Sequence, residues 1–288
     1  MVQVRADTLL IDGGGNPRTI TGIFADSGDS GNAGSIIVAA REITVANEGS
    51  ISTSTLFDGG GGNIVITAER LRLERSGGIL SVTAGSGNAG RIAIDVSDTL
   101  TLAQGGFIAA NTGGSGAAGA IDIRAGRLVA GGADPVSGQR TRIASRAIGG
   151  SGGQTGNITI VVNGALELQD DALVTIANDA RVANPAALTP TTLSLRAGSV
   201  SLQGAEVTAA ASGNTRAGNI TIDTPGLLRA VTSRISTTAL DGDGGPIAIA
   251  AAGGVLLKDS AITTSVEGIS NGTAERSREL GDELGKLG

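Results

Sequence analysis

The sequence predicts an all-β solenoid: a single-stranded, right-handed parallel β-helix of about eight coils, each of 27–29 residues. Three observations carry this. A short alternating aliphatic motif recurs at near-constant spacing, glycine is abundant, and aromatic residues are nearly absent. The 288 residues include 48 Gly but only 3 Phe, with no Trp, Tyr, His or Cys. A globular core of this size would be filled in part by aromatics, which bury about 150–250 Å² each. Here the apolar 40% is almost all Ala, Ile, Leu and Val, which suits a thin core of stacked strands with tight corners. Disorder does not fit, because β-branched residues are frequent and the mean hydropathy is positive.

The first element of each unit is the triplet itself. It appears as Ile36-Ile37-Val38, Ile64-Val65-Ile66, Ile92-Ala93-Ile94, Ile121-Asp122-Ile123, Ile158-Thr159-Ile160, Leu193-Ser194-Leu195, Ile220-Thr221-Ile222 and Ile247-Ala248-Ile249. Successive spacings are 28, 28, 29, 37, 35, 27 and 27 residues. The two long intervals contain loop insertions, Gly131–Thr141 and Arg181–Pro190. A second apolar station follows at Ile43/Val45, Leu71/Leu73, Leu100/Leu102, Leu128, Leu166/Leu168, Val200/Leu202, Leu227 and Val255/Leu257. A third is read at Ile51, Leu80, Ile108, Ile143, Val174, Val207, Ile235 and Ile262.

Alternation at each station puts one face inward and one outward. No unit buries its aliphatics alone, so corresponding strands stack at roughly 4.8 Å per coil into three parallel sheets around a dry interior, a rod about 40 Å long. The crossovers are expected to be right-handed. Residues 1–29 are read as a degenerate first coil, 30–268 as the β-helix, and 269–288 as a charged tail or cap with Leu280, Leu284 and Leu287 at helical spacing.

Several functions are disfavoured by composition. The net charge of −6 offers no basic patch, and aromatics for base stacking are missing, so no nucleic-acid partner is expected. No apolar run approaches the ~18 residues that span a bilayer, so no membrane insertion is expected. Without Cys there are no disulfides and no thiolate metal sites.

The runs Gly31-Asn32-Ala33-Gly34-Ser35-Ile36-Ile37-Val38 and Gly87-Asn88-Ala89-Gly90-Arg91-Ile92-Ala93-Ile94 resemble repeats of filamentous-haemagglutinin-like exoproteins, the secreted partners of two-partner secretion systems. Gly156-Asn157-Ile158-Thr159-Ile160 and Gly49-Ser50-Ile51-Ser52-Thr53-Ser54 share the likeness, which covers roughly residues 30–268. The resemblance implies an extracellular, cell-surface shaft, exported unfolded through an outer-membrane transporter and used for adhesion to glycans or proteins of host or neighbouring cells. The family's secretion domain carries Asn-Pro motifs. Only Asn16-Pro17 is present here, in different surroundings, so the chain is expected to be an internal or distal part of a longer protein, or a degenerate member.

Motifs that suggest chemistry read as loop composition. Gly28-Asp29-Ser30-Gly31 and Gly149-Gly150-Ser151-Gly152-Gly153 imitate serine-nucleophile loops, but the proton acceptor of those mechanisms is an imidazole and there is no His. Gly85-Ser86-Gly87-Asn88-Ala89-Gly90 and Gly114-Ser115-Gly116-Ala117-Ala118-Gly119 match the dinucleotide fingerprint, yet each precedes a strand where that fingerprint needs a helix. A carbohydrate-active β-helix is the enzymatic alternative, and Asp95, Asp122 and Asp223 are its nearest approach to recurring acids. Asp241-Gly242-Asp243 and Asp26–Asp29 are weak calcium candidates.

A flat row of small hydroxyls on the third face is a further candidate. It is read as Ser52, Ser81, Ala109, Ala144, Thr175, Thr208, Ser236 and Thr263, with Ser54, Thr83, Asn111, Arg146, Ala177, Ala210, Thr238 and Ser265 two residues on. Asn63, Asn157 and Asn219 share one position before the first strand and suggest an amide ladder or left-handed turns. Glu69, Arg70, Arg72, Glu74 and Arg75 read as a solvated face. No catalytic residue, metal site or cofactor is assigned, and the expected role is structural or adhesive.

Overall fold

The computed structural model describes residues 1–15, 20–148 and 152–266. Asn16-Pro17, the loop residues Gly149–Ser151 and the expected tail 269–288 lie outside them. The chain forms β1 (Val2–Asp12), β2 (Gly22–Phe24), β3 (Ile36–Ala46), β4 (Ser50–Ser52), β5 (Ile64–Glu74), β6 (Gly78–Thr83), β7 (Ile92–Ala103), β8 (Phe107–Thr112), β9 (Ile121–Gly131) and β10 (Arg142–Ala147). Then follow β11 (Ile158–Gln169), β12 (Leu173–Asn178), β13 (Thr192–Gln203), β14 (Glu206–Ala211), β15 (Asn219–Thr224), β16 (Leu228–Val231), β17 (Arg234–Ala239), β18 (Ile247–Ala251), β19 (Val255–Lys258) and β20 (Ala261–Val266). Every paired strand in the stack is parallel to its neighbour, and the windings form a β-solenoid.

Two hydrogen-bonded sheets, and not three, wrap the interior. The larger runs β1-β3-β5-β7-β9-β11-β13-β15-β18, with β16 and β19 continuing its second half in the last coils; the smaller runs β2-β4-β6-β8-β10-β12-β14-β17-β20. The first and second apolar stations merge because the chain bends between them without leaving the strand. Ile64 to Glu74, for example, is one strand paired to β3 on both sides of the bend. Where the bend gains a residue, the ladder absorbs it as a bulge, as between Val96 and Thr99. That accounts for the 29-residue spacing after Ile92. Only the Pro225-Gly226 corner separates the two halves outright, because Pro cannot donate to the ladder.

The repeating triplets stack as read: Ile64 pairs with Ile92, and Ile92 with Ile121. One continuous core cluster runs through the windings, from Ile11 to Ile235. Ile36, Ile64, Ile92 and Ile121 are wholly excluded from solvent, each worth about 1.5–3 kcal/mol of transfer free energy. Two station residues are off by one. In the second station the column residue is Leu228, fully buried, while Leu227 is 41% exposed. In the third, Ile79 pairs with Ile51 and Ile108, and Leu80 faces outward beside Ser52.

The turn between the second and third stations is a stack of left-handed corners. Asn47, Glu48, Arg75, Ser76, Gln104, Asp170, Asp171, Thr232 and Asp259 all have positive φ although none is glycine. Such backbone costs roughly 1–2 kcal/mol per residue. Coil-to-coil hydrogen bonds offset it: the N–H of Glu48 donates to the Arg75 carbonyl, Ser76 to Gln104, and Thr232 to Lys258.

Candidate binding surfaces

The outer face of the larger sheet carries neutralised charge ladders. Arg41 joins Asp7 to Glu42, and Arg70 joins Glu42 to Glu69 and Asp98 across three coils. The Arg70 guanidinium, with that of Arg41, holds the Glu42 carboxyl below the usual carboxylate range, and Arg41 does the same for Asp7. Arg72 pairs with Glu74 and Arg127 with Glu167. These groups are solvated, so each pair contributes little to stability. The acids singled out for an enzymatic site are dispersed among arginines. Asp95 stacks between Thr67 and Arg124, Asp122 accepts from Arg91 at 2.6 Å, and Asp223 accepts from Arg196 at 3.1 Å. Asp122 sits beside Ala93 and not beside Asp95.

The acidic loops are similarly satisfied. Asp243 faces Arg216 at 3.2 Å, and Asp26 accepts from the Ser52 hydroxyl at 2.7 Å. Among the described residues no three His, Cys, Asp or Glu side chains converge as a metal site. Ser30 lies in an exposed loop where its N–H donates to its neighbour Asp29. Of the other serine-nucleophile imitation, Gly149, Gly150 and Ser151 lie outside the described residues.

The glycine fingerprints have a structural cause. A Cβ at Gly87 would strike the Gly59 carbonyl of the coil below, and one at Gly116 would strike the Gly87 carbonyl; Gly90 and Gly119 stand in the same relation to Gly62 and Gly90. These glycines let successive coils approach at strand spacing. The asparagines form no amide ladder. Asn63 Oδ1 accepts the Arg91 N–H at 2.9 Å and Asn157 Oδ1 the Thr192 N–H at 2.8 Å, each stapling its coil to the next.

The third face differs from the expected hydroxyl row. In the β6 coil, Ser81 and Thr83 point inward, and Leu80 and Val82 take their outward places. Of the outward residues, Ser52, Ala109, Ala144, Thr175 and Ser236 are buried. The inward hydroxyls bond across the interior to the glycine loop that closes each coil. Thr53 Oγ1 donates to the Gly62 carbonyl at 2.6 Å, and Ser81 Oγ accepts the Gly90 N–H at 2.8 Å. Ser145 Oγ donates to the Gly119 carbonyl at 3.0 Å and accepts the Gly156 N–H at 2.8 Å. Alternation alone did not reveal them, since a hydroxyl between aliphatics reads as an outward residue.

The three phenylalanines avoid the fully buried core. Phe24 and Phe57 are 36% and 53% exposed, and Phe107 lies over Gly78 with the Arg142 guanidinium 4.7 Å from its ring. Burial, with Arg146 nearby, lowers the Arg142 pKa.

The insertions supply the concave features. Ala133 and Arg140 bridge antiparallel, and within this finger Asp134, 8% exposed, accepts the N–H groups of Val136 and Ser137 and the Ser137 hydroxyl. The Ser137 N–H leads the interactions that hold the Asp134 carboxyl below its ordinary range. The finger leans on the left-handed corners and walls a recess of about 270 Å³ with Asn47, Glu48, Arg75 and Gln104. Drug-sized ligands occupy about 300–1,000 Å³, so this recess suits a group of monosaccharide size. The second insertion contains a 3₁₀ turn at Pro185–Ala187 and roofs a cavity of about 20 Å³, room for little more than one water.

No protein-family model, no curated protein and no solved structure matches this chain.

Proposed function

We propose that the chain is a non-catalytic, adhesive shaft of a secreted, surface-exposed exoprotein of the filamentous-haemagglutinin-like kind, exported through an outer-membrane transporter. The observation that carries the reading is the uniformity of the outer surface. Its charges are paired along the stack and its acids are separated by arginines, so it presents a long scaffold interrupted by a finger and its recess. The likeness of the Gly-Asn-Ala-Gly repeats to that family supports the same reading.

The partner class is a surface glycan, whose hydroxyls match the Asn47, Glu48, Arg75 and Gln104 side chains at the recess. The test is a glycan array probed with the purified chain and with a variant whose Asp134–Gln139 segment is replaced by two glycines. Selective binding that the variant loses, with its far-UV spectrum unchanged, is the expected result. Absence of binding to any glycan overturns the adhesive reading. Metal-dependent depolymerisation of an acidic polysaccharide would replace it with the carbohydrate-active alternative.

A further inference from the structure

We propose that the two ends of the β-helix are complementary and that copies of this chain stack head to tail through them. Among the described residues, β1 and β2 at one end, and β18, β19 and β20 at the other, each have a partner strand on one side only. The upper edge leaves core positions open. Val255 and Leu257 are 49% and 44% exposed, while Leu228 and Ala230, one coil below in the same columns, are sealed. Unpaired parallel strands with apolar inward residues are templates for another strand.

Carrying the pairing register one coil further identifies what would meet there. The columns ending in Ile247, Ile249, Val255, Leu257 and Ile262 begin at Val2, Val4, Leu9, Ile11 and Ile23. A second copy laid on the upper edge therefore continues each core column with an aliphatic residue.

Two outward columns favour a second copy specifically. One runs Leu10, Thr44, Arg72, Thr101, Val129, Glu167, Ser201, Arg229, Leu256. Leucine occupies only its two ends, and both leucines are exposed, Leu10 at 63% and Leu256 at 47%. Stacking places them side by side and covers both. The other column begins at Asp12 and ends at Lys258, the only lysine among the described residues. Stacking brings this pair of opposite charges together across the junction. A head-to-tail contact of this kind does not close on itself and generates filaments.

The test uses the absence of cysteine in the natural chain. Adjacent strands lie about 4.8 Å apart, within disulfide reach, whereas residues 10 and 256 of one copy are separated by eight coil steps, roughly 38 Å. Under oxidation at high protein concentration, the Leu10→Cys/Leu256→Cys variant should give a ladder of covalent multimers. The two single variants should give dimers only when mixed. Monomers throughout, as expected if residues 267–288 of the same chain cover the upper edge, overturn the proposal. So do dimers formed by either single variant alone, which mark a two-fold contact. As a second reading, Lys258→Asp should weaken association in sedimentation roughly fivefold. Combining it with Asp12→Lys should restore association, and failure of that charge swap counts against the proposed register.

Discussion

The two sheets of this β-helix solve the same packing problem with different chemistry. The larger sheet fills its share of the interior with aliphatic columns, Ile36 to Ile220 and Val38 to Ile222, and leaves charge outside. The smaller sheet sends Thr53, Ser81, Ser145 and Thr237 inward and spends them on the backbone of the glycine loops. The contrast follows from what each sheet faces. Opposite the larger sheet is more side chain. Opposite part of the smaller one is the loop that leads into the next triplet, whose buried N–H and C=O groups need partners. Where the hydroxyl is absent, bulk replaces it: Ile176 reaches against Gly218.

This contrast can be broken most sharply in the larger sheet. Ile92→Ala deletes a fully buried side chain between two identical neighbours and should cost about 3–4 kcal/mol, read as a lower urea midpoint. A loss below about 1 kcal/mol would mean that the column collapses around the gap. In the smaller sheet, Ser145→Ala strands the Gly156 N–H and the Gly119 carbonyl, and should cost about 2 kcal/mol, with Ser145→Thr milder. If the alanine variant is neutral, the hydroxyls are passengers and the contrast between the sheets is only compositional.

The corners linking the sheets provide a gain. Thr232 is β-branched at φ 50°, so Thr232→Gly should stabilise by about 1 kcal/mol, seen as a higher melting temperature. Destabilisation instead would show that the side chain matters more than the backbone strain.

The smallest effect is local and depends on pH. The folded-state pKa of Asp134 is depressed, so its contribution is present above the unfolded carboxylate value, about 3.9, and is lost as pH falls below it. The amide resonances of Val136 and Ser137 should shift with a midpoint under that value, while the core resonances stay put. A midpoint at or above it would remove the carboxylate as the organiser of the finger.

Much of the fold was legible along the chain, for reasons visible at particular residues. The triplets from Ile36 to Ile247 recur because every coil presents the same residue to the same place, so one period reports both strand and stacking. The errors fall where the local pattern was ambiguous. Ile79-Leu80 and Leu227-Leu228 are adjacent aliphatics, and alternation cannot choose between them. Spacing could have chosen the first: Val45 to Ile51 and Leu102 to Ile108 are six residues apart, as are Leu73 and Ile79. The recess was not legible, because it joins a finger at Asp134 to corners at Asn47, Arg75 and Gln104 from three other coils.

The amino-acid sequence by itself determined the coil, since aliphatic period, glycine loops and the lack of aromatics leave stacking as the way to bury the chain. Tertiary structure alone decided how many sheets wrap the core, which hydroxyls turn inward and which outward columns meet at the ends. Those are relations between residues some 28 positions apart or more, set by hydrogen bonds between coils, and no local pattern carries them.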